Sequence, residues 1–394
     1  MTRKLGLVVL AALLLTSAHA AAKEGPPSQL LGFVQHGNTF SFAKLDVLTL
    51  KPVSTEVPIR DPRFVARVAG GGRAAFGTGS AALRFLDFKR MRWEFRIAYP
   101  GVPAAALWNY ANKLVTLNQS STAEVIVVDP TKRRLGAIRG LGGSLAAFSV
   151  RADRIVAVIA PLDGIGPAKL AVIDDAGRVR TTPLLQIRAG SQTLNNGALH
   201  RYEYPALAVD RSRAVVIARD GAIAEVRLDT LAVTSRSLAR SLAAARKQAT
   251  GSTRTAQWID VKTIAVTGAD ATLDGTTQRS TPAGLTLIDS RDWSSRRIDA
   301  DTTGIAPNGF GPGCIACFGT LLAYGSNGLA GYDADGTLKF RLFPGTTTRP
   351  SIVAGTYAYI GAGRHFTIVN AWTGAVVRTV ETRAPTFLIP LLSY

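Results

Sequence analysis

Cys314 and Cys317 are the only thiols in the 394 residues, and they stand three apart in the stretch GPGCIACFG. That spacing can serve a redox centre, half a metal site, a haem anchor or a local disulfide. Covalent haem attachment needs histidine directly after the second cysteine, and Phe318 occupies that position. A thioredoxin-like centre sets the pair at a helix N-terminus to lower the thiol pKa, whereas the following FGTLLAYGS reads as strand. Zinc needs three or four ligands, and the histidines beyond residue 20 are only His36, His200 and His365. In an oxidising compartment an internal disulfide is the leading reading. Residues three apart in an extended strand are separated by about 10 Å, and a disulfide needs its Cα atoms within roughly 7 Å. The pair therefore closes only if CIAC is a turn, which Gly311, Pro312 and Gly313 favour. Free thiols on a strand are the second reading.

The richest polar cluster is His200-Arg201-Tyr202-Glu203-Tyr204. In an extended segment, alternation sends His200, Tyr202 and Tyr204 to one side and Arg201 and Glu203 to the other. Tyrosine and arginine in that density suit a binding surface, with Arg188, Asp163 and Arg279 on neighbouring insertions as further candidates. Asp270 and Asp274, with Thr272 and Thr276 in a long polar stretch, are the candidate oxygen ligands for a divalent cation. Asp333-Ala334-Asp335-Gly336 reads as a hairpin turn, and Gly70-Gly71-Gly72-Arg73 lacks the Lys-Ser/Thr ending of a phosphate loop. No G-x-S-x-G elbow occurs. Only seven glutamates accompany the three histidines, so acid–base groups are sparse and no catalytic residue or resident cofactor is assigned.

What positions these residues is a repeat. Short apolar runs end in an Asp or Asn followed by a polar turn and another β-rich run, as in KLAVIDDAGRVRTT and LAGYDADGTLKFRL. The marker residues are Asp46, Asp87, Asp129, Asp174, Asp229, Asp289, Asp333 and Asn370, spaced by 37 to 60 residues. A period near 45 in an all-β chain signals radially repeated four-stranded sheets. Asp or Asn bonds backbone two residues on, while Gly177, Gly336 and Gly374 supply the positive φ of a tight hairpin. On these repeats the chain resembles the exported bacterial β-propellers with YVTN- or WD40-like repeats, across nearly all of residues 29–394. The turn motif specifies the fold and leaves function open, and the GH…WD signature is missing. The expectation is an all-β propeller of four-stranded blades, eight favoured and seven the alternative. The C-terminal PTFLIPLL closes the ring against the first blade after LLGFVQ, which removes an open sheet edge.

The long connections share one side of such a ring. With four strands per unit, residues 160–168, 186–205, 235–253, 267–284 and 302–317 all fall between second and third strands or between units. Elaborated loops on a rigid scaffold are where binding concentrates. Within 235–253 the pattern predicts a short helix: Ser235 or Ser237 as cap, Leu238, Leu242 and Ala245 on one face, Arg246 and Lys247 in the last turn, Gly251 as stop.

The first residues, MTRKLGLVVLAALLLTSAHA, have the charged start, short apolar run and A-x-A ending of an export signal, cut after residue 20 or 22. Residues 21–28 then form a linker to a single domain over 29–394. The apolar run falls short of the roughly 20 residues a membrane span takes. A formal charge of +19 draws a protein toward anionic polymers, although 35 of its 46 cations are scattered arginines. Taken together, these features describe a secreted or periplasmic, monomeric, non-enzymatic propeller. One loop-rich face would meet a protein or an anionic envelope polymer, with no specific nucleic-acid site and no membrane span. The alternative is a propeller enzyme, a lyase or lactonase-type hydrolase using a divalent cation at the channel mouth.

Overall fold

The computed structural model describes residues 29–59, 64–70, 72–78, 81–119, 121–194, 199–243, 249–274, 277–306, 320–362, 365–381 and 388–391. Over these the chain is entirely β: thirty-four strands and no helix among the described residues. Six four-stranded sheets stand alone. The first pairs β1 (Gln29–His36), β2 (Thr39–Leu45) and β3 (Val57–Ile59) with the C-terminal β34 (Leu388–Leu391). Three others are β4–β7 (residues 64–98), β8–β11 (102–140) and β17–β20 (206–237). The last two are β26–β29 (302–342) and β30–β33 (352–381).

The remaining strands form one ten-stranded sheet. It contains β12 (Ser144–Val150), β13 (Arg154–Ala160), β14 (Gly164–Asp174), β15 (Val179–Leu194) and β16 (Leu199–Tyr204). It continues through β21 (Gly251–Trp258), β22 (Thr263–Asp274), β23 (Thr277–Pro282), β24 (Leu285–Asp289) and β25 (Ser295–Asp299). The propeller thus shows six free four-stranded blades and one composite sheet, in place of seven or eight separate blades. The physical reason is β16: it adds antiparallel to β15 and parallel to β21, fusing two units that the β17–β20 sheet separates in the chain.

Ring closure follows the pattern expected from sequence. β34 runs antiparallel to β1, with Gln29 opposite Leu391 and Leu31 opposite Ile389. Closure gives the first sheet its fourth strand, so that it matches its neighbours. Hydrophobic clusters join neighbouring sheets face to face. Leu31, Phe42 and Val57 of the first pack with Phe76 and Leu86 of the second, and Leu30, Val34 and Leu45 meet Tyr359 and Ile368 of the last. Sheets covered on both faces need near-continuous apolar strands. Val215, Val216 and Ile217 of one such inner strand are fully buried. The outermost strands are wet, and every residue of β20 (Val233–Ser237) is exposed.

The marker residues act through their side chains. Asp46 Oδ1 accepts the backbone N–H groups of Leu48 and Thr49, Asp87 Oδ1 those of Lys89 and Arg90, and Asn370 Oδ1 those of Trp372 and Thr373. These contacts fasten the hairpins locally. The Asp229 unit differs, because there the turn closes from Leu231 N–H to Arg227 O, two residues earlier than the sequence marker. Gly177, Gly336 and Gly374 have the expected positive φ of 76°, 84° and 74°. Leu50, Met91, Leu231 and Trp293 occupy the same region at 50–62°. A side chain there costs roughly 1–2 kcal/mol; burial of Leu50, Met91 and Trp293 against the sheets offsets it.

Residues 238–243 are open chain, not the expected helix. Leu238 N–H bonds Gly221 O and Leu242 N–H bonds Arg219 O, so the backbone finds its acceptors in the β17–β20 sheet. Both leucines pack on that sheet's cluster. Residues 244–248 lie outside the described residues, as do the export segment and both cysteines.

The turn glycines predict stability. A Cβ at Gly336 would sit 2.7 Å from Ile298 Cδ1, and one at Gly374 would sit 2.4 Å from Phe340, both side chains of the preceding sheet. Gly336→Ala and Gly374→Ala should each lower unfolding free energy by about 1–3 kcal/mol, adding in the double variant because the interfaces are separate. Denaturant titration checks both.

Acid sensitivity follows from the Asp turns. The Thr49 hydroxyl and amide hold the Asp46 carboxyl below its ordinary value. The Arg291 guanidinium brings Asp289 down to about 2. A depressed carboxylate contributes stability above its unfolded pKa, near 4, and loses it as pH falls through the folded value. The urea midpoint should be flat from pH 7 to 5 and drop between pH 4 and 2, with a smaller drop in Asp46→Asn.

Candidate functional site

Three connections that read as loops are strands of the composite sheet. β14 begins at Gly164, so residues 164–167 already pair with 188–191 of β15. β15 runs on to Leu194 and returns as β16. β22 overshoots its unit to Asp274 and returns as β23. The extensions therefore lie side by side: Glu203 is opposite Gly190 on one side and Ser252 on the other, and Ser252 is opposite Asp270. Gly190 (φ 129°) and Gly268 (φ 150°) accommodate the bends where these extensions leave their blades. A Cβ at Gly190 would lie 2.2 Å from Gly164 O, and one at Gly268 1.9 Å from Thr253 O.

On β16 the alternation read from sequence holds. The rings of His200, Tyr202 and Tyr204 form a ladder with centroids 5.6 Å apart at both steps, tilted at the first and stacked at the second. His200 is exposed and the tyrosines are half-buried. Tyr202 lies flat over Gly251 of β21, where a Cβ would come within 2.2 Å of its ring. Burial raises the Tyr202 pKa, helped by Tyr204 and the nearby Asp270 charge. Across the strand, Glu203 faces Arg188 at 3.9 Å, an exposed pair. Arg201 sits opposite Gln192.

Beneath the ladder lies a buried ion pair. The Arg254 guanidinium donates to Asp270 Oδ1 at 2.8 Å and to Leu242 O at 2.8 Å, with both charged side chains essentially inaccessible. Arg219, from the β18–β19 connection, donates to Asp270 Oδ2 at 3.1 Å. Burial pulls the Arg254 guanidinium below its ordinary value, and the Asp270 carboxylate opposes that pull. Asp270, read from sequence as a cation ligand, thus has both carboxylate oxygens on arginines. Its companion Asp274 is placed at the far end of β22, opposite Thr277. Asp163 is exposed in the β13–β14 connection, and Arg279 is exposed on β23 opposite Thr272. The structure brings Arg188 and the 200–204 cluster into one sheet with Asp270. Arg279 is in that sheet too, on β23, whereas Asp163 stays in the β13–β14 turn. Among the described residues no three His, Cys, Asp or Glu side chains gather as a metal site.

Tyr204 ends the ladder at the rim of a pocket of about 430 Å³ on the first strands of three units. Its walls are Leu145 to Phe148 of β12, Leu207 of β17 and Arg254 to Ala256 of β21, with Gln119 at one edge. Phe148 is 43% exposed, a large apolar ring open to solvent. Arg254 Nε is buried without an acceptor among the described residues. None of these wall residues was singled out from sequence: Leu145, Leu207 and Ala256 belong to ordinary apolar strands, and only the arginine in GSTRTAQW interrupts its strand with a charge.

No family model matches the chain, and no curated protein does. Solved structures match at the level of fold. One is the dihydro-haem d1 dehydrogenase NirN in complex with DHE, at TM-score 0.58, 11% identity, and 93% of this chain against 76% of that one. Another is apo AztD from Citrobacter koseri, at TM-score 0.53, 11% identity, and 92% against 96%. BamB from Moraxella catarrhalis follows at TM-score 0.49, 12% identity, and 80% against 87%. The chain is a β-propeller. At these identities the likeness extends to the fold alone.

The ion pair generates a prediction. Removing one partner of a buried pair costs about 3–5 kcal/mol, because the other charge stays buried and unmatched. Asp270→Ala should lose that much stability, whereas Asp270→Leu combined with Arg254→Met should recover most of it. Chemical denaturation of both variants checks the comparison.

Proposed function

We propose that this chain is an exported binding propeller whose composite-sheet face docks a protein partner. The partner's bulky apolar side chain enters the pocket between Phe148, Leu145, Leu207 and Ala256, while the His200–Tyr202–Tyr204 ladder lies along the adjoining segment. The observation that carries this reading is the continuity of ladder and pocket: stacked half-buried rings lead, through Tyr204, into a cavity with mainly apolar walls. Aromatic rings bordering a desolvated pocket are the usual anchors of protein interfaces. Arg254, the one full charge among the described wall residues, is already matched by Asp270, so the pocket favours an apolar group over an anion. Export rests on the first twenty residues of the sequence.

Panning a random-peptide display library against the purified chain tests the proposal. Enriched peptides should share a large apolar or aromatic residue. Phe148→Asp and Tyr204→Ser, each with unchanged thermal midpoint, should reduce their capture at least tenfold. Equal capture by wild type and both variants would discard the pocket as the docking site.

A further inference from the structure

A second cleft, of about 830 Å³, lies at the opposite ends of the strands that carry the composite sheet. β13 enters it at Arg154 and leaves toward the extensions at Ala160; β15 begins beside it at Val179 and reaches the extensions at Gly190. Its other wall is the β17–β18 turn and the end of β19 (Ala222–Arg227). Five guanidiniums line it, those of Arg154, Arg180, Arg211, Arg213 and Arg227, against the carboxylates of Glu225 and Asp229.

These arginines are not equivalent. Arg213 is structural: it binds Asp210 and Glu225 at 3.0 and 2.8 Å and lies 4.4 Å over the Trp258 ring. Arg154 and Arg227 have carboxylate partners at the rim, Asp153 and Asp229. The Arg227–Asp229 pair is exposed and weakly held, so its guanidinium can turn to a better acceptor, whereas the Arg154 side chain is only 26% exposed. Arg180 donates at 2.7 Å to the carbonyls of Leu228 and Asp229. That bridge fixes its position between two sheets without neutralising its charge. Arg211 is exposed on the turn, with no hydrogen bond or ion pair among those found for the described residues. With Asp153 and Asp210 counted, and with Arg236, which also binds Glu225, six guanidiniums face four carboxylates, and Arg180 and Arg211 are the two with no carboxylate partner among the described residues.

We infer that this cleft is an anion site, separate from the docking face, for a ligand carrying two or more linked phosphate groups. Forked guanidiniums match phosphate oxygens in pairs. The cleft's volume exceeds what one phosphate fills, and its charge sits on both walls, so a single small anion reaches only one of them. No aromatic face is open in the lining for a base to stack on, since Arg213 covers Trp258. That weighs against nucleic acid. The phosphates can come from a free oligophosphate or from a phosphate-linked polymer.

Calorimetric titration of the full chain at low salt, with tripolyphosphate, orthophosphate and citrate in turn, tests the inference. Tripolyphosphate should bind at least tenfold tighter than orthophosphate and citrate. Arg211→Gln and Arg180→Lys should each weaken it about tenfold, with thermal midpoints reported alongside. Tyr204→Ser, on the docking face, should leave it unchanged, which separates this site from the one proposed above. Long-chain polyphosphate binding with several chains' worth of protein per molecule identifies a polymer ligand; one-to-one binding equal to tripolyphosphate identifies the free oligophosphate. No detectable tripolyphosphate binding, or binding that Arg211→Gln and Arg180→Lys leave intact, overturns the inference.

Discussion

A small twisted sheet that is apolar on both faces must have a neighbour on each side, and that requirement governs this molecule. Every four-stranded unit buries one face against the unit before it and the other against the unit after it, so the series can end only by returning to its beginning. The return is made by β34, four residues that pair with β1. Tyr359 and Ile368 of the last sheet pack on Leu30 and Leu45 of the first, so apolar contact completes the circuit that the hydrogen bonds begin.

Two units depart from independence, and that departure builds the candidate site. Their strands outgrow the blades, and the overshooting segments have exposed N–H and C=O groups that need partners. β16 satisfies both neighbours at once. An ion pair beneath it supports the arrangement: Asp270 is held by Arg254 from β21 and by Arg219 from the intervening unit, so the extension is fastened downward as well as sideways. Burial of that pair makes Asp270 a strut that ties β22 to β21 and to the intervening unit. The opposite ends of the same strands have only short Asp turns, yet there the guanidiniums of neighbouring units converge. The aromatic ladder and its apolar pocket thus lie at one end of these strands and the arginine cleft at the other.

The repeat, the turn markers and the closing strand were legible in the sequence because each depends on contacts within a few residues or on a simple period. Asp46, Asp87 and Asn370 cap their own turns, which needs no knowledge of the rest of the chain. Even there, the local signal had limits: Leu50 and Trp293 take a backbone conformation normally left to glycine, since packing on the sheet outweighs the local cost. The helix expected near Leu238 failed for a similar reason, as the sheet edge beside it offered the backbone acceptors that a helix would have supplied internally. Of the site, the alternation in HRYEY was readable, because a strand's period of two places His200, Tyr202 and Tyr204 together whatever surrounds them.

The amino-acid order alone determined an all-β ring, the positions of its turns and the ladder of rings on one strand, since those follow from spacing and from side chains acting on nearby backbone. Tertiary structure decided which separate segments became neighbours: β16 against β21, Arg254 under Asp270, Phe148 beside Tyr204, and Arg180 across from Arg211. The physical reason is distance along the chain. Partners brought together from tens of residues apart leave no periodic trace, and the free energy that pairs them depends on burial that exists only after the sheets have packed.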